Sequence, residues 1–229
     1  MVIPAYNEER RLPQSLERIV GYLEEQPYAW EIWVADDGST DHTGEVVREF
    51  SKRHPQVHLL SLHHRGKGHA VKAGMLAAQG QYRFQCDADL SMPIRELPKF
   101  LPPQLDGFDI AVGSREIPGA QRLDEPSYRH YLGRVYNYIV RAVAVRGIRD
   151  TQCGFKCFRA QVAEEVFPCQ RIDGWGFDVE TLFIAQQRGF RLVEVPIEWH
   201  HVKGKTRNAL AMFFEALAVR RNSIMGRYR

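Results

Sequence analysis

Two aspartates close an apolar run in the segment CDADLSMP, Asp87 and Asp89 following Tyr82–Cys86. Residues i and i+2 at a strand end share a face, so both carboxylates can point to one side. Two hard oxygen donors with coordination positions left open suit Mg2+ or Mn2+ held jointly with a diphosphate. Without a cation the two acids would repel, and one would hold its proton to a higher pH.

Four further constellations carry chemistry. Asp36 and Asp37 end a second apolar run in VADDGSTDHT, ahead of Gly38 and the capping types Ser39, Thr40 and Asp41. Acids at the carboxyl end of a parallel strand face the crevice where α/β proteins bind ligands, and there they can accept hydrogen bonds from a base or ribose. RGKGHAVKAG, Arg65 to Gly74, sets a Gly-Lys-Gly turn at the start of an alanine-rich helix. Free N–H groups at such a start, together with Lys67, suit a phosphate. The spacing is neither that of a P-loop nor that of a dinucleotide fingerprint, which disfavours a nicotinamide dehydrogenase. Asp178 and Glu180 lie among Trp175, Phe177, Val179 and Leu182 in GWGFDVETL. Acids in aromatic surroundings are usually paired or functional, and a general base or a group orienting sugar hydroxyls fits; favourable charge at a helix start would also account for them. A cationic set, Arg115, Lys156, Lys203, Lys205 and Arg207, sits beside glycines and suits phosphate oxygens.

The elements that must position these residues alternate between short apolar runs and longer helical-period runs. That pattern predicts an α/β fold with a mostly parallel central sheet flanked by helices. Strands are expected at Val2–Ile3, Glu31–Ala35, Val57–Leu62, Tyr82–Cys86, Asp109–Val112 and Leu192–Val195. Helices are expected at Leu12–Leu23, Thr43–Arg53, Gly68–Ala78 and Arg95–Leu101. Val2-Ile3-Pro4 reads as the end of a strand that begins upstream. Pro118 to Ser127, polar with two prolines, reads as a mobile loop. Tyr131, Leu132, Val135, Tyr136, Ile139, Val140 and Val143 form a stripe at helical spacing, with Arg129, Arg134, Arg141 and Arg146 near it. Leu210, Phe213, Phe214 and Leu217 form another, followed by Arg220, Arg221, Arg227 and Arg229. Such helices either pack on the sheet or lie in a membrane interface.

The 229 residues suit one large domain. The net charge of +3 does not call for nucleic acid. Cys86, Cys153, Cys157 and Cys169 lack the paired rhythm of a zinc site and read as buried free thiols, which fits a reducing compartment. The apolar stretch from Ala209 to Val219 is broken by Glu215 and too short to span a bilayer, which needs about 20 apolar residues.

VIPAYNEE, ADDGSTD, RGKG, DADLS, VGSR, DTQCGFKCF, FDVETL and VPIEW occur in the order found in family-two glycosyltransferases. Within that family the chain most resembles the dolichyl-phosphate glucosyltransferases, then the mannose synthases. DADLS looks like the mannose branch, and DTQCGFK and FDVE look like the glucose branch. The resemblance implies one nucleotide-diphospho-sugar transferase domain over 1–229. Within it, 1–115 forms the nucleotide-sugar and metal half, 116–207 the acceptor half, and 208–229 an amphipathic basic helix. Pro4, Tyr6, Glu8, Asp36 and Asp37 would hold the nucleotide, with Lys67 and the backbone of Ala88 nearby. Asp87 and Asp89 would bind Mg2+ or Mn2+. Arg115, Lys156, Lys205 and Arg207 would surround the donor diphosphate or a lipid phosphate. Asp89, Asp178 and Glu180 would be the catalytic acids.

The implied reaction moves a hexose, glucose from UDP-glucose or mannose from GDP-mannose, onto a polyprenyl phosphate with inversion. The implied location is peripheral, on the cytoplasmic face of a membrane. A sugar-1-phosphate nucleotidyltransferase would carry a glycine-rich loop after its first strand, where this chain has PAYNEE. A non-catalytic sugar-nucleotide-binding module would not need both pairs of acids. The Q-x-x-R-W motif of processive polysaccharide synthases is missing, QQRGF lacking the tryptophan.

Overall fold

The computed structural model describes residues 1–123, 140, 144–201 and 209–228. Among these, a seven-stranded sheet forms the centre: β1 (Val2–Ala5), β2 (Ile32–Asp36), β3 (Val57–Ser61), β4 (Tyr82–Gln85), β5 (Ile110–Ser114), β7 (Lys156–Arg159) and β8 (Leu192–Pro196), in the order β3-β2-β1-β4-β7-β5-β8. All neighbours run parallel except β7, which is antiparallel to both β4 and β5. The helices are α1 (Leu12–Glu24), α2 (Thr43–Arg53), α3 (Lys67–Ala77), α4 (Ala160–Val166), α5 (Phe177–Gln187) and α6 (Ala209–Ile224), with a 3-10 helix at Ile94–Phe100.

Alternation along each strand builds two cores. Ile3, Val34, Phe84, Ala111 and Cys157 point to the face covered by α1, α2 and the 3-10 helix. Val2, Ile110, Val112 and Phe158 point to the face covered by α3, α4, α5 and α6. With helices on both faces, strands such as Val2–Ala5 and Ile110–Ser114 are buried along their whole length, which is why they read as continuous apolar runs.

One strand goes unannounced by the sequence, and three expectations need correction. Lys156–Arg159 is a central strand that its sequence, KCFR, does not advertise. The stretch expected as a loop from Pro118 contains β6 (Gln121–Leu123), which pairs with β9 (Glu198–His200) in a separate two-stranded sheet; residues 124–127 lie outside the described residues. The helix expected over Arg95–Leu101 is a 3-10 helix over Ile94–Phe100 with Pro98 inside it. The packed face of α6 is Met212, Ala216 and Val219, so Phe214 and Leu217 of the expected stripe face outward. The stripe from Tyr131 to Val143, with Arg129, Arg134 and Arg141, lies outside the described residues except Val140, which is helical and buried. All four cysteines are free; Cys86, Cys153 and Cys157 are buried, whereas Cys169, also expected to be buried, is only half-buried, and burial pushes the Cys153 thiol up to about 12. Among the described residues no helix is long and apolar enough to cross a membrane.

Helix α3 lies on β1 at Gly74, where an added Cβ would overlap Cγ1 of the buried Val2. Gly74→Ala gains about 1 kcal/mol of helix propensity. Forcing a methyl into a packed β-branched contact costs roughly 1–3 kcal/mol. The variant should therefore be less stable by about 1 kcal/mol in urea denaturation, with the slope unchanged.

Candidate functional site

Strand order reverses between β1 and β4, and ligands of open α/β sheets bind at the carboxyl edge of such a reversal. The chain delivers its acids to that edge. Asp36 ends β2 and Asp37 follows it, Asp87 follows β4, Arg115 follows β5, and the antiparallel β7 begins there with Lys156.

On the β1–β2 side, Pro4 is buried in β1 beside Ala35. The Tyr6 ring stacks on His64 with centroids 4.2 Å apart. The Glu8 amide donates to Thr43 Oγ1 at 2.8 Å, and the Asn7 amide to Ser39 Oγ at 2.9 Å, so the loops after β1 and β2 are stitched together. Asp36 Oδ1 accepts from the Ser39 amide at 3.0 Å. Asp37 is more heavily engaged. It accepts from the amides of Arg65 (3.1 Å) and Gly66 (2.8 Å), and His64 Nδ1 lies 2.8 Å away.

That arrangement corrects the reading of RGKG as an open phosphate cradle. The amides of Gly68 and His69, at the start of α3, donate to the Asp173 carbonyl at 2.7 and 3.3 Å. Gly66 adopts φ +132°, and a Cβ there would come within 2.5 Å of the same carbonyl oxygen. The helix start is docked on protein, not offered to an anion. Lys67 reaches out instead. Its Nζ lies 2.5 Å from Asp87 Oδ1 and 5.0 Å from the centroid of the Trp175 ring.

Asp89 Oδ1 accepts from the amide (3.0 Å) and hydroxyl (2.7 Å) of Ser91, and the Ala88 carbonyl accepts from Ser15 Oγ at 2.6 Å. The Asp-Ala-Asp turn is thus held from two sides. Gly154 leaves room for the Asp87 carboxylate, where a Cβ would overlap Oδ2. Among the described residues no cluster of three or more metal-ligating side chains forms. Two carboxylates with a cation already beside one of them fit a divalent ion whose remaining ligands come from a diphosphate, the usual manner for Mg2+.

Asp178 and Glu180 do not act together. Two positions apart on a helix they do not face each other. Asp178 turns to the sheet, where Lys156 Nζ is 2.5 Å away and Gln85 Nε2 3.3 Å away. Lys156 is fully buried and also donates to the Cys153 carbonyl at 2.5 Å, so its ammonium faces protein groups, not an outside anion. Glu180 accepts from the Tyr228 hydroxyl (2.6 Å) and from the amides of Arg171 (2.9 Å) and Ile172 (2.7 Å). Burial raises its pKa, and its contacts are those of a group tying α5 to the segment before it and to the chain after α6.

Arg115 grips Asp150 with Nε at 2.6 Å and Nη2 at 2.9 Å, and its guanidinium lies 5.1 Å from the centroid of the Trp199 ring. Burial alone would raise the Asp150 pKa, but the guanidinium holds it down at about 2. Asp150, Gly154 and Trp199 were not singled out in the sequence, although two of them fall inside DTQCGFKCF. The signal was the guanidinium of Arg115, which needs a carboxylate once buried. Glu215 of α6 accepts from the Gly176 amide at 2.6 Å and packs against Gly174, on either side of Trp175. Lys203, Lys205 and Arg207 lie outside the described residues.

A family model described as Glycosyl transferase family 2 matches residues 1–167. The chain is 40% identical over 213 residues to the dolichyl-phosphate beta-glucosyltransferase ALG5C of Trichomonas vaginalis, spanning 88% of this chain and 63% of that protein. It is 33% identical to the dolichyl-phosphate beta-glucosyltransferase of Homo sapiens, over 89% of this chain and 68% of the relative. Glucosyl-3-phosphoglycerate synthase from Mycobacterium tuberculosis, solved with Mn2+, UDP-glucose and phosphoglyceric acid, superposes with a TM-score of 0.71. That match has 17% identity and covers 99% of this chain and 78% of that one. At that identity the likeness is one of fold.

The folded pKa of Asp150 lies below its ordinary value of 3.8. Its ion pair therefore adds stability above about pH 4 that disappears as pH falls toward 2. Asp150→Asn should lower stability near neutral pH by on the order of 2 kcal/mol. The gap between the two proteins should narrow across that acid window in pH-resolved denaturation; a constant gap would show the pair to be electrostatically silent.

Proposed function

The chain belongs to glycosyl transferase family 2, and from that premise we propose that it transfers glucose from UDP-glucose to a polyprenyl phosphate, with inversion. The observation that carries this reading is the Asp87–Ala88–Asp89 turn, set at the strand-order reversal with Lys67 against it. The choice of glucose and of a polyprenyl acceptor is supported by the relatives, several of them dolichyl-phosphate beta-glucosyltransferases. The solved neighbour with Mn2+ and UDP-glucose supports a divalent cation and a uridine donor.

Asp36, Asp37 and Tyr6 line the end of the crevice suited to the base and ribose. Lys67 is positioned to follow negative charge from Asp87 onto the donor diphosphate. A divalent cation held by Asp87 and Asp89 would stabilise charge on the leaving nucleotide. The acceptor is a phosphate monoester with a second pKa near 6, so it is already ionised at neutral pH. Its oxygen forms the new bond to the anomeric carbon while the bond to the diphosphate breaks, the electron pair leaving with UDP. No strong base is required. Asp178, clamped by Lys156, serves to position the neighbouring chain, not to collect a proton.

The reading places the enzyme peripherally on the cytoplasmic face of a membrane. The outer side of α6 and the turn after it carry Phe214 (60% exposed), Leu217, Ile224 (80% exposed) and Met225, interleaved with exposed Arg220, Arg221 and Arg227. Apolar side chains flanked by arginine suit an anionic lipid surface.

Incubation with radiolabelled UDP-glucose or GDP-mannose and polyprenyl phosphate, then lipid extraction, should move label from the uridine donor alone into the lipid phase. Asp89→Asn should reduce that transfer by at least about 100-fold with the fold intact by circular dichroism; near-normal turnover would remove the cation from this account. In flotation with anionic liposomes the protein should rise with the lipid. Phe214→Ser with Leu217→Ser should leave it at the bottom; equal flotation of variant and parent would exclude this face.

A further inference from the structure

Gln152 is only 5% exposed, and among the described residues neither its Nε2 nor its Oε1 has a hydrogen-bond partner. A buried polar group left unpaired costs about 1–3 kcal/mol, and folded proteins leave few of them. The chain around Gln152 is not loose. Asp150 is gripped by Arg115, and its amide donates to Glu194 Oε1 at 3.1 Å. The Cys153 carbonyl is held by Lys156 Nζ, and Cys153 Sγ lies 3.4 Å from Met92 Sδ. Gly154 packs on the Asp87 carboxylate. An unpaired carboxamide is thus fixed on a rigid segment two residues from the contact with the metal-binding turn.

Strand order says which part of a donor would meet it. Across the carboxyl edge, β2 carries Asp36 and Asp37, β4 leads into Asp87, and the chain entering β7 carries Gln152. A nucleotide-diphospho-sugar is built in the same linear sequence: base and ribose, diphosphate, sugar. With the base end at β2 and the diphosphate at β4, the next strand position, about 5 Å further on, falls to the sugar. We infer that Gln152 is the specificity residue for the transferred hexose, its amide donating to one ring hydroxyl and accepting from another. A carboxamide offers both roles side by side, which matches a vicinal diol. This rests on the sugar-donor reading above.

The test is titration calorimetry on the full chain with Mn2+, comparing UDP with UDP-glucose, for the parent and for Gln152→Met, which keeps the volume and removes the amide. UDP affinity should change less than twofold, and UDP-glucose affinity should fall roughly tenfold or more. Nucleotide-free thermal stability should hold or rise, because an unsatisfied amide has gone. If Gln152→Met does not fold, Gln152→Leu carries the same expectation. Equal loss for both ligands would make Gln152 a structural residue, and unchanged binding of both would mean its amide meets no sugar; either overturns the inference while leaving the donor reading standing. A parent protein that binds neither UDP nor UDP-glucose would overturn the donor reading and this inference together.

Discussion

The buried pair between Lys156 and Asp178 is the interaction on which the architecture depends. It joins the first residue of β7 to the first turn of α5, with Lys156 fully enclosed. Among the described residues, strand β7 is the only bridge in the sheet between the β3-β2-β1-β4 half and the β5-β8 pair. Desolvating two charges is costly, and their attraction returns that cost only with good geometry and further hydrogen bonds. Here Cys153 and Gln85 supply them. An apolar pair of equal volume could hold the strand as firmly. It would not fix where the strand starts, and with it the positions of Gln152 and Gly154.

The same logic runs across the crevice. Gathering Asp37, Asp87 and Asp150 along one edge would be unfavourable were each not matched separately. Asp37 is met by backbone amides and His64, Asp87 by Lys67, and Asp150 by Arg115. These matches differ in permanence. The Arg115 guanidinium engages Asp150 through two nitrogens, against a carboxylate that is entirely buried. Lys67 makes a single-point contact over an aromatic face. An ammonium on a flexible stem can change partner at little cost, whereas a forked guanidinium cannot. The crevice therefore combines a fixed frame with a cation suited to move.

Much of the fold was legible because burial on both faces leaves long apolar runs. Thr43–Arg53 was read to the residue, and Asp36, Asp37, Asp87 and Asp89 were identifiable as acids closing such runs. What escaped has a common cause. β7 begins with a lysine and ends with an arginine, and its identity as a strand depends on partners far along the chain, Asp178 and the flanking β4 and β5. Glu180 looked like a companion to Asp178 because both acids lie among aromatic and apolar residues, but on the helix Phe177–Gln187 two positions apart the acids turn away from each other. The amides of Gly68 and His69 looked free because nothing local announces the Asp173 carbonyl. Tertiary partners, unlike periodicity, leave no mark at the residues they satisfy.

Helix α6 is joined to the crevice by a carboxylate. Glu215 holds the Gly176 amide and packs on Gly174, so the peptide carrying Trp175 is clasped from outside the sheet. The indole in turn lies beneath the ammonium that faces Asp87. The helix whose far side is coated with phenylalanine, leucine and isoleucine is therefore in mechanical series with the acids at the strand tips. A push on the outer surface has a short lever arm to the place where sugar chemistry would occur.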